Sequence, residues 1–171
     1  MTAQKFQIRE ATPSDDVAIG ELLVEAFVNS YARKMPEVVV TAERKAELRA
    51  VADKRKIAKV FVAELSGKVV GTVALWPPRA PGSEAWLEGA SDLRHLAVSG
   101  SHRGLGISDA LLDRAEQMAW ELGSPVVCLH VRRGAQGVRE LYVKRGYQRD
   151  EKGDLDKPSV YLEAYFLPKP R

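Results

Sequence analysis

Apolar and polar positions alternate briefly at the start of the chain and then change to helical spacing. Phe6–Arg9 alternates, which predicts a strand. Thr12 followed by Pro13 predicts a helix start with an N-cap threonine. Apolar residues then recur every three or four positions, at Ile19, Leu22, Leu23, Ala26 and Phe27. A second helix is predicted from Thr41, in a run that is charged at most positions.

Two apolar runs with a glycine between them follow. The runs Val60–Leu65 and Val69–Trp76 read as strands, and Gly67 lies in the short segment that separates them. Because glycine supplies the positive φ that a tight turn needs, this pattern predicts an antiparallel hairpin. Pro77–Ala90 has no periodic pattern, and a loop of this length is typical of function or mobility.

Helical spacing returns at Ile107 and stops before Pro125. One helical face carries Ile107, Leu111, Ala115, Met118, Ala119 and Leu122, whereas Asp109, Asp113, Glu116 and Glu121 fall on other faces. Gly123 marks the predicted end of this helix. The run Val126–Val131 is apolar on both sides of its pleat, as expected for a central strand covered by helices.

The C-terminal part predicts a short helix and two strands. One face of the helix carries Val138, Leu141 and Tyr142. Gly146 ends this helix, and strands follow near Tyr147–Asp150 and Ser159–Leu167 with the GDLDKP segment as their turn. Alternating strands and helices with a hairpin-like end favour an α/β (α+β) fold with one sheet and helices on both faces. The 171 residues contain no internal repeat and predict a single domain, residues 1–171.

The composition is that of a globular protein. Hydrophobic residues make up 45% of the chain and charged residues 29%. No apolar run approaches the roughly 20 residues that span a bilayer, and the first ten residues lack a signal-peptide core. A cytoplasmic protein without a membrane segment is therefore expected. The net charge of +3 is too small to indicate nucleic-acid binding by itself, although it suits an anionic ligand.

Cysteine and histidine usage gives no sign of a disulfide or a metal site. The one cysteine, Cys128, lies in an apolar run and is predicted to be a buried core thiol. His95, His102 and His130 show neither an HExxH motif nor a zinc-type spacing with cysteine. No metal is expected.

The stretch from Asp92 to Ser108 has the pattern of a strand, a glycine-rich loop and the start of a helix. The first N–H groups of a helix have no helical partner and lie at the positive end of its dipole, so they bind phosphates. Gly104 and Gly106 would let the backbone approach a pyrophosphate closely, and Arg103 adds a positive charge. A dinucleotide-binding fingerprint would require a third glycine where Asp109 stands.

The pairing of Leu96–Val98 with the RGLGIS segment resembles the signature of the GNAT superfamily of N-acetyltransferases, Arg/Gln-x-x-Gly-x-Gly/Ala after a strand that ends in Leu-Ala-Val. Arg103, Gly104 and Gly106 match it. Ser108 replaces the usual glycine or alanine and is still small.

A second family segment is usually written with an asparagine ahead of Ala-x-x-Leu-Tyr and a closing Gly-Phe. It corresponds to Ala135–Tyr147 here, where the asparagine position is Ala135 and the family alanine is Val138. The positions that hold the pattern are Leu141, Tyr142, Gly146 and Tyr147. The second half is therefore a looser match than the first.

The resemblance implies the acyl-CoA N-acyltransferase fold, a mixed and mostly antiparallel sheet in which two parallel central strands splay apart. It implies acetyl-CoA as the acyl donor and a primary amine, on a small molecule or a peptide, that attacks it directly in a ternary complex. The Leu96 N–H would face the acetyl oxygen, and Val98 would pair with pantetheine. The implied cofactor-binding residues are Leu96, Ala97, Val98, Arg103, Gly104, Leu105, Gly106, Ile107 and Ser108. A homodimer is also compatible with the resemblance, since dimers are common in the superfamily.

Acetyl transfer to an amine needs a base and an acid that protonates the departing thiolate. Tyr142 matches the family tyrosine that serves as this acid, and its competing interpretation is an aromatic residue in the core. Asp92 lies at the start of the strand that bears Leu96, where several family members carry a carboxylate base. Glu88 is an equal rival for the base, and a surface carboxylate is the alternative for Asp92.

Other interpretations stay open. The same fold could serve as a non-catalytic acyl-CoA sensor or interaction domain. Nucleic-acid binding could use the basic residues Arg132, Arg133, Arg139, Lys144 and Arg145, although a solvated helix face explains them better. Trp86 could cap the core or line the acceptor pocket. In the family the first two helices border the acceptor site, so Tyr31 and Lys34 are candidate substrate contacts.

Overall fold

The fold is built on one mixed sheet. The computed structural model describes residues 5–34 and 40–171, but not the side chains of residues 30–34. The strands in these residues are β1 Gln7–Glu10, β2 Lys59–Leu65, β3 Lys68–Trp76, β4 Ser91–Val98, β5 Val126–Arg132, β6 Gln148–Arg149, β7 Leu155–Lys157 and β8 Val160–Pro168. The α-helices in the same residues are α1 Asp16–Lys34, α2 Ala42–Arg49, α3 Val51–Ile57, α4 Ile107–Glu121 and α5 Gln136–Lys144.

The strands follow the order β1-β2-β3-β4-β5-β8-β6, and β7 pairs with β8 outside this path. Strands β4 and β5 are parallel. Their register pairs Ser91 with Val127 and Asp92 with Cys128, at the start of both strands. Strand β1 is antiparallel to β2, and β5, β6 and β7 are each antiparallel to β8. The predicted mixed sheet with a parallel central pair is confirmed.

The chain divides into two compact units, which we describe separately. Unit 1 comprises residues 1–74 and 95–115, and unit 2 comprises residues 75–94 and 116–171. The core of unit 1 includes Ile19, Leu23, Leu48, Val51, Phe61 and Leu111, and that of unit 2 includes Leu75, Val127, Leu129, Ala164 and Tyr165. The expectation that residues 1–171 form one domain stays a prediction.

Local sequence signals placed several elements correctly. The turn between β2 and β3 has Ser66 at φ 52° and Gly67 at φ 78°, and two positive φ values are the signature of a tight hairpin turn. At the start of the first helical segment the Thr12 N–H donates to the Asp15 carboxylate at 2.7 Å. The segment from Pro77 to Ala90 contains no helix or strand, as predicted.

The single helix predicted from Thr41 is wrong in its extent. Thr41 does cap α2, because its Oγ1 accepts a hydrogen bond from the Arg44 N–H at 3.1 Å. Ala50 then leaves the helical region with φ −77° and ψ 52°, and α3 starts at the next residue. Leu48 and Val51 on the two sides of this break are both fully buried. Packing of these two side chains therefore overrides a run of good helix formers.

Three further expectations are corrected. The GDLDKP segment is not only a turn, because Leu155–Lys157 forms β7 and pairs with β8. Leu122 and Val138, placed by the sequence pattern on the apolar faces of their helices, are 39% and 38% exposed. Glu116, predicted on a polar face of α4, is buried. Strand pairing with β8 decides the first outcome, and hydrogen bonds from Arg145 and Tyr147 accompany the burial of Glu116.

Candidate active site

In unit 1 the chain passes from β4 into a short loop and then into α4. The Ser99 N–H donates to the Val70 carbonyl at 2.8 Å, which continues the link to β3 just beyond the end of β4. Gly104 and Gly106 then adopt φ 80° and 81°, a region that is open to glycine and rare for other residues. The Ala110 N–H makes the first bond of α4 to the Gly106 carbonyl at 3.1 Å. The N–H groups between Gly106 and Ala110 come before this first helical hydrogen bond and have no partner within the helix.

The surface of this loop is open. Arg103, Gly104, Leu105 and Gly106 are all exposed. A Cβ atom built on Gly104 or Gly106 would meet no atom within 4 Å. The two glycines are thus required by their backbone conformation, and the space beside them is free for a ligand. This geometry fits a pyrophosphate held by backbone N–H groups at a helix start.

Gly71 on β3 allows the first turn of α4 to pack closely against that strand. A Cβ atom at Gly71 would lie 2.9 Å from Ile107 Cγ2 and 3.4 Å from the Ala97 carbonyl oxygen. Because glycine lacks that atom, the first turn of α4 packs directly on β3, and the Ile107 side chain is buried there. The Ile107 side chain is therefore part of the core of unit 1. Sequence analysis overlooked Gly71, although a glycine inside an apolar strand often signals a close backbone approach.

An irregularity interrupts β4 just before Leu96. His95 has φ 60°, a left-handed conformation that is uncommon for a residue with a side chain and that costs about 1–2 kcal/mol. Its Nδ1 lies 3.1 Å from Nζ of Lys54, a buried lysine on α3. The residues after the irregularity, Leu96 and Val98, are partly buried, and Ala97 is buried. Neither His95 nor Lys54 was a predicted site residue.

In unit 2 Tyr142 lies in a buried aromatic and charged cluster. Its ring meets that of Tyr147 edge-to-face, with 5.4 Å between ring centroids. The Tyr147 hydroxyl donates to Glu116 at 2.9 Å, and Arg145 donates to the same carboxylate at 2.8 Å. Burial raises the pKa of Tyr142 above its usual range, the charge on Glu116 raises it further, and Arg145 opposes the shift. The phenol therefore stays protonated through the neutral range.

Asp92 is fully buried in the parallel register with Cys128. Its Oδ2 accepts hydrogen bonds from the Glu84 N–H at 2.8 Å and from Arg94 Nε at 2.7 Å. Its Oδ1 is buried and has no hydrogen-bond partner among the described residues. Burial raises the pKa of this carboxyl, and the Arg94 charge opposes the shift. Asp92 is not the surface carboxylate that its alternative interpretation assumed.

Contacts of Trp86 hold the long loop that precedes β4 against the rest of unit 2. Trp86 donates to Asp150 at 2.8 Å, and its ring meets that of His130 edge-to-face. Trp86 also packs against the buried cluster of Ala90, Val126 and Cys128. A Cβ atom at Gly153 would overlap the Trp86 indole, so that glycine makes room for the ring. Trp86 therefore caps this part of the core, while Glu88 lies exposed nearby in the sequence.

Several of the remaining sequence candidates have structural partners, and others are not described. Burial raises the pKa of the Cys128 thiol to about 11, so Cys128 is the predicted inert core thiol. Arg133 stacks on Tyr161 at 3.6 Å, and Arg139 donates to the Tyr165 hydroxyl at 2.9 Å. The side chains of Tyr31 and Lys34 lie outside the described residues.

One polar pocket lies in unit 2 at the start of α5. Its volume is about 330 Å³, and arginines and Glu163 line it. Its wall includes Arg132 and Arg139 but none of the residues predicted to bind acetyl-CoA or to take part in acetyl transfer. Within residues 5–34 and 40–171, no group of three or more His, Cys, Asp or Glu side chains could hold a metal ion. No helix in these residues is long and apolar enough to cross a membrane.

The fold thus gathers the predicted site residues into two sets. Leu96–Val98 and Arg103–Ser108 belong to unit 1, and Glu88, Asp92 and Tyr142 belong to unit 2. Sequence analysis missed the Lys54–His95 pair and the burial of Glu116. No local signal pointed to either, because both lie in charged or polar patterns that are typical of a solvated surface.

Comparison with known proteins gives a consistent result. A model of the acetyltransferase (GNAT) family matches residues 17–147. N-acetyltransferase 8B of Rattus norvegicus is 38% identical over 91 residues, which are 52% of this chain and 39% of that protein. The chain therefore matches well under half the length of that relative.

Solved structures resemble nearly the whole chain. The ribosomal-protein-alanine N-acetyltransferase of Brucella melitensis is 25% identical with a TM-score of 0.65, covering 95% of this chain and 99% of that one. The PaiA N-acetyltransferase of Thermoplasma acidophilum, solved in complex with coenzyme A, is 15% identical with a TM-score of 0.71 and coverages of 94% and 98%. The latter likeness concerns the fold alone.

Proposed function

Since the chain belongs to the acetyltransferase (GNAT) family, we propose that it is an acetyl-CoA-dependent N-acetyltransferase, with residues 1–171 as one catalytic domain. The proposed reaction moves an acetyl group to a primary amine by direct attack in a ternary complex. The observation that carries the proposal is the open loop at Arg103–Gly106, where two glycines in left-handed conformation precede the first turn of α4.

The donor is held mainly by backbone in this proposal. The N–H groups at the start of α4 bind the pyrophosphate together with Arg103, and Gly104 and Gly106 leave room for it. Leu96, Ala97 and Val98 on β4 serve the pantetheine and the acetyl group. The donor supplies an activated thioester, whose carbonyl oxygen gains negative charge as the amine attacks. The Leu96 N–H is the group proposed to stabilise that charge.

Tyr142 is the proposed acid. Burial and Glu116 keep its phenol protonated, so it presents an O–H donor to the sulfur that departs. A hydrogen bond to the developing thiolate lowers the barrier even before the proton moves. No nucleophilic serine or cysteine is required, and Cys128 is unsuited to such a role because its raised pKa keeps it a thiol.

The two carboxylates proposed as base differ in their surroundings. Asp92 is buried and already accepts bonds from Arg94 and the Glu84 N–H. One of its oxygens has no partner among the described residues, and its raised pKa suits proton uptake. Glu88 is exposed on the loop before β4. Asp92→Asn and Glu88→Gln separate these two assignments.

We expect acetyl-CoA to stabilise the fold and a primary amine to be acetylated. A ligand at one hundred times its dissociation constant stabilises a protein by about 2.7 kcal/mol. The measurements are the melting temperature with and without millimolar acetyl-CoA, and thiol release with a panel of small amines, amino acids and peptides. An unchanged melting temperature would contradict the proposal. Stabilisation without thiol release for any acceptor would instead favour a non-catalytic acyl-CoA sensor.

Gly106→Val is expected to weaken acetyl-CoA binding by at least tenfold, because a branched side chain would occupy the space proposed for the pyrophosphate. Gly123→Val is a matched control, since Gly123 has φ 83° and Gly106 has φ 81°, and neither position has an atom within 4 Å of a built Cβ. Both variants should lose similar stability through strain at positive φ. Titration calorimetry measures the acetyl-CoA affinity of both variants. Equal affinities would show that the Gly104–Gly106 loop is only a turn.

A further inference from the structure

The polar cavity at the start of α5 has no part in the acetyl transfer proposed above. Strand pairing brings its wall together within unit 2, because Glu163 on β8 pairs with Val131 on β5, and Arg149 on β6 pairs with Tyr165 on β8. The cavity of about 330 Å³ has room for roughly ten water molecules at about 30 Å³ each. This volume lies at the lower end of the range for small-molecule sites. The cavity therefore admits a small organic ligand and not only a single ion.

The charged side chains of the wall are mostly positive. Arg132, Arg139 and Arg149 line the cavity together with one acid, Glu163. The charge of Glu163 is compensated on two sides, because Arg149 donates to its Oε2 at 3.2 Å and Arg133, which is outside the wall, lies 3.6 Å from the same oxygen. The wall therefore carries an excess of positive charge, which favours an anionic ligand.

Arg149 is a fixed part of this wall. Its two Nη groups donate to the two carboxylate oxygens of Asp154 at 2.5 and 2.6 Å. Asp154 also accepts hydrogen bonds from the Tyr161 hydroxyl and the Ala164 N–H. The bonds from Arg149 hold the pKa of Asp154 well below its usual range, so this pair stays ionised at neutral pH. Arg149 thus contributes positive charge and shape to the cavity, while its donors are used within the protein.

Arg139 on α5 has a different environment. Its Nε donates to the Tyr165 hydroxyl at 2.9 Å, which is its one side-chain hydrogen bond among the described residues. The Nη groups of this exposed residue keep their N–H donors. The Tyr165 hydroxyl accepts the bond from Arg139 and still has its own hydrogen to donate. Because Arg139 and Tyr165 both line the cavity, the two side chains offer a ligand a charged and a neutral donor.

The start of α5 adds to the positive potential of the arginines. Ala135 is the N-cap residue and has no side-chain group that could accept from the helix. The first helical bond runs from the Arg139 N–H to the Ala135 carbonyl at 3.1 Å, so the N–H groups of residues 137 and 138 come before it. These groups form the positive end of the helix dipole. Ala135 and Gln136 place this helix end in the wall of the cavity.

We propose that this cavity binds a small metabolite through an oxyanion group, a carboxylate or a phosphate, with Arg139 and Tyr165 as the side chains that donate to it. Both groups present oxygens that match the planar donor arrangement of a guanidinium. The site shares no residue with the loop proposed to hold the acetyl-CoA pyrophosphate, since Arg103–Gly106 belongs to unit 1 and the cavity wall to unit 2. The proposal therefore stands apart from the acetyltransferase function.

The test is titration calorimetry of the full chain with inorganic phosphate and with succinate, at an ionic strength held constant with chloride. Succinamide, which has the shape of succinate without its charges, is the neutral control. We expect at least one of the two anions to bind with a dissociation constant of about 1 mM or lower, and succinamide not to bind. Phosphate alone would indicate a phosphorylated ligand, and succinate alone a carboxylic acid.

Arg139→Gln should weaken binding of the anion by at least tenfold, because it removes a charged donor from the wall. Tyr165→Phe removes one hydroxyl and keeps the ring, and it should weaken binding by a smaller factor. Arg133→Gln is the matched control, since it removes the same charge beside the cavity from a residue outside its wall. Its affinity should stay within about threefold of the parent, as expected for a screened charge. Melting temperatures without ligand show that each variant is folded.

Gly106→Val separates this site from the proposed pyrophosphate loop. It should leave the affinity for the anion unchanged while it weakens acetyl-CoA, and Arg139→Gln should do the reverse. Loss of anion binding in Gly106→Val would place the anion at the loop and overturn the proposal. Equal affinities of the parent and Arg139→Gln, equal losses in Arg133→Gln and Arg139→Gln, or no binding of either anion at about 10 mM would overturn it as well. None of these results bears on thiol release from acetyl-CoA, which tests the proposed function separately.

Discussion

Tyr142→Phe is expected to lower turnover with a good acceptor by about 100- to 10,000-fold, the usual contribution of a general acid. The variant removes one oxygen from a ring that is 5% exposed and leaves the edge-to-face packing with Tyr147 in place. Binding of acetyl-CoA should stay within a few fold of the parent. Steady-state turnover and direct binding of acetyl-CoA are the two measurements.

Tyr147→Phe is the matched control for that experiment. It removes the same atom from the other ring of the pair, where the hydroxyl donates to Glu116 at 2.9 Å. A hydrogen bond to a charged group contributes about 1.5–3 kcal/mol, so this variant should lose stability and keep its turnover. If Tyr142→Phe retained the parent's turnover, or if both variants lost it equally, Tyr142 would be a core residue and not the acid.

Glu116→Leu is expected to destabilise the fold by about 3–5 kcal/mol. Glu116 accepts hydrogen bonds from Arg145 at 2.8 Å and from the Tyr147 hydroxyl, and the Glu116 and Arg145 side chains are 11% and 14% exposed. Removing the carboxylate leaves the Arg145 guanidinium poorly solvated and without the negative charge of Glu116. Urea unfolding at neutral pH gives the change in the free energy of unfolding.

The double variant Glu116→Leu/Arg145→Met tests the cause. Replacing a buried ion pair by apolar side chains of similar volume is often neutral, so the second substitution should recover most of the lost stability. A loss below about 1 kcal/mol in the single variant would mean that solvent screens the pair as it does a surface salt bridge. No recovery in the double variant would assign the loss to packing of the aliphatic side chain.

The candidate loop could be predicted from the sequence because its determinants are local. Gly104 and Gly106 permit positive φ, and the helix that follows exposes its first N–H groups whatever it packs against. Ser66 and Gly67 determine the hairpin turn in the same way. The apolar run of β5 identified a buried central strand without knowledge of its neighbours. In each case, the residues that cause the structure are adjacent in the sequence.

The charged interior could not be predicted in this way. Glu116 and Lys54 both stand in polar stretches, where a solvated surface is the usual outcome. Their burial is compensated by partners that are 29 and 41 residues away, Arg145 and His95. Such pairs form only when the sheet and helices have brought distant segments together, since burying either charge without a partner would be unfavourable.

The sequence by itself determined the order of most elements, the family resemblance and the loop proposed to hold a pyrophosphate, since short-range backbone preferences and alternating burial specify them. Tertiary structure decided where α2 ends, that Leu155–Lys157 becomes a strand, and that Asp92 is enclosed by Arg94 and the Glu84 N–H. The physical reason is that these outcomes depend on which distant groups meet in a poorly solvated interior. Solvation and pairing there outweigh local propensity.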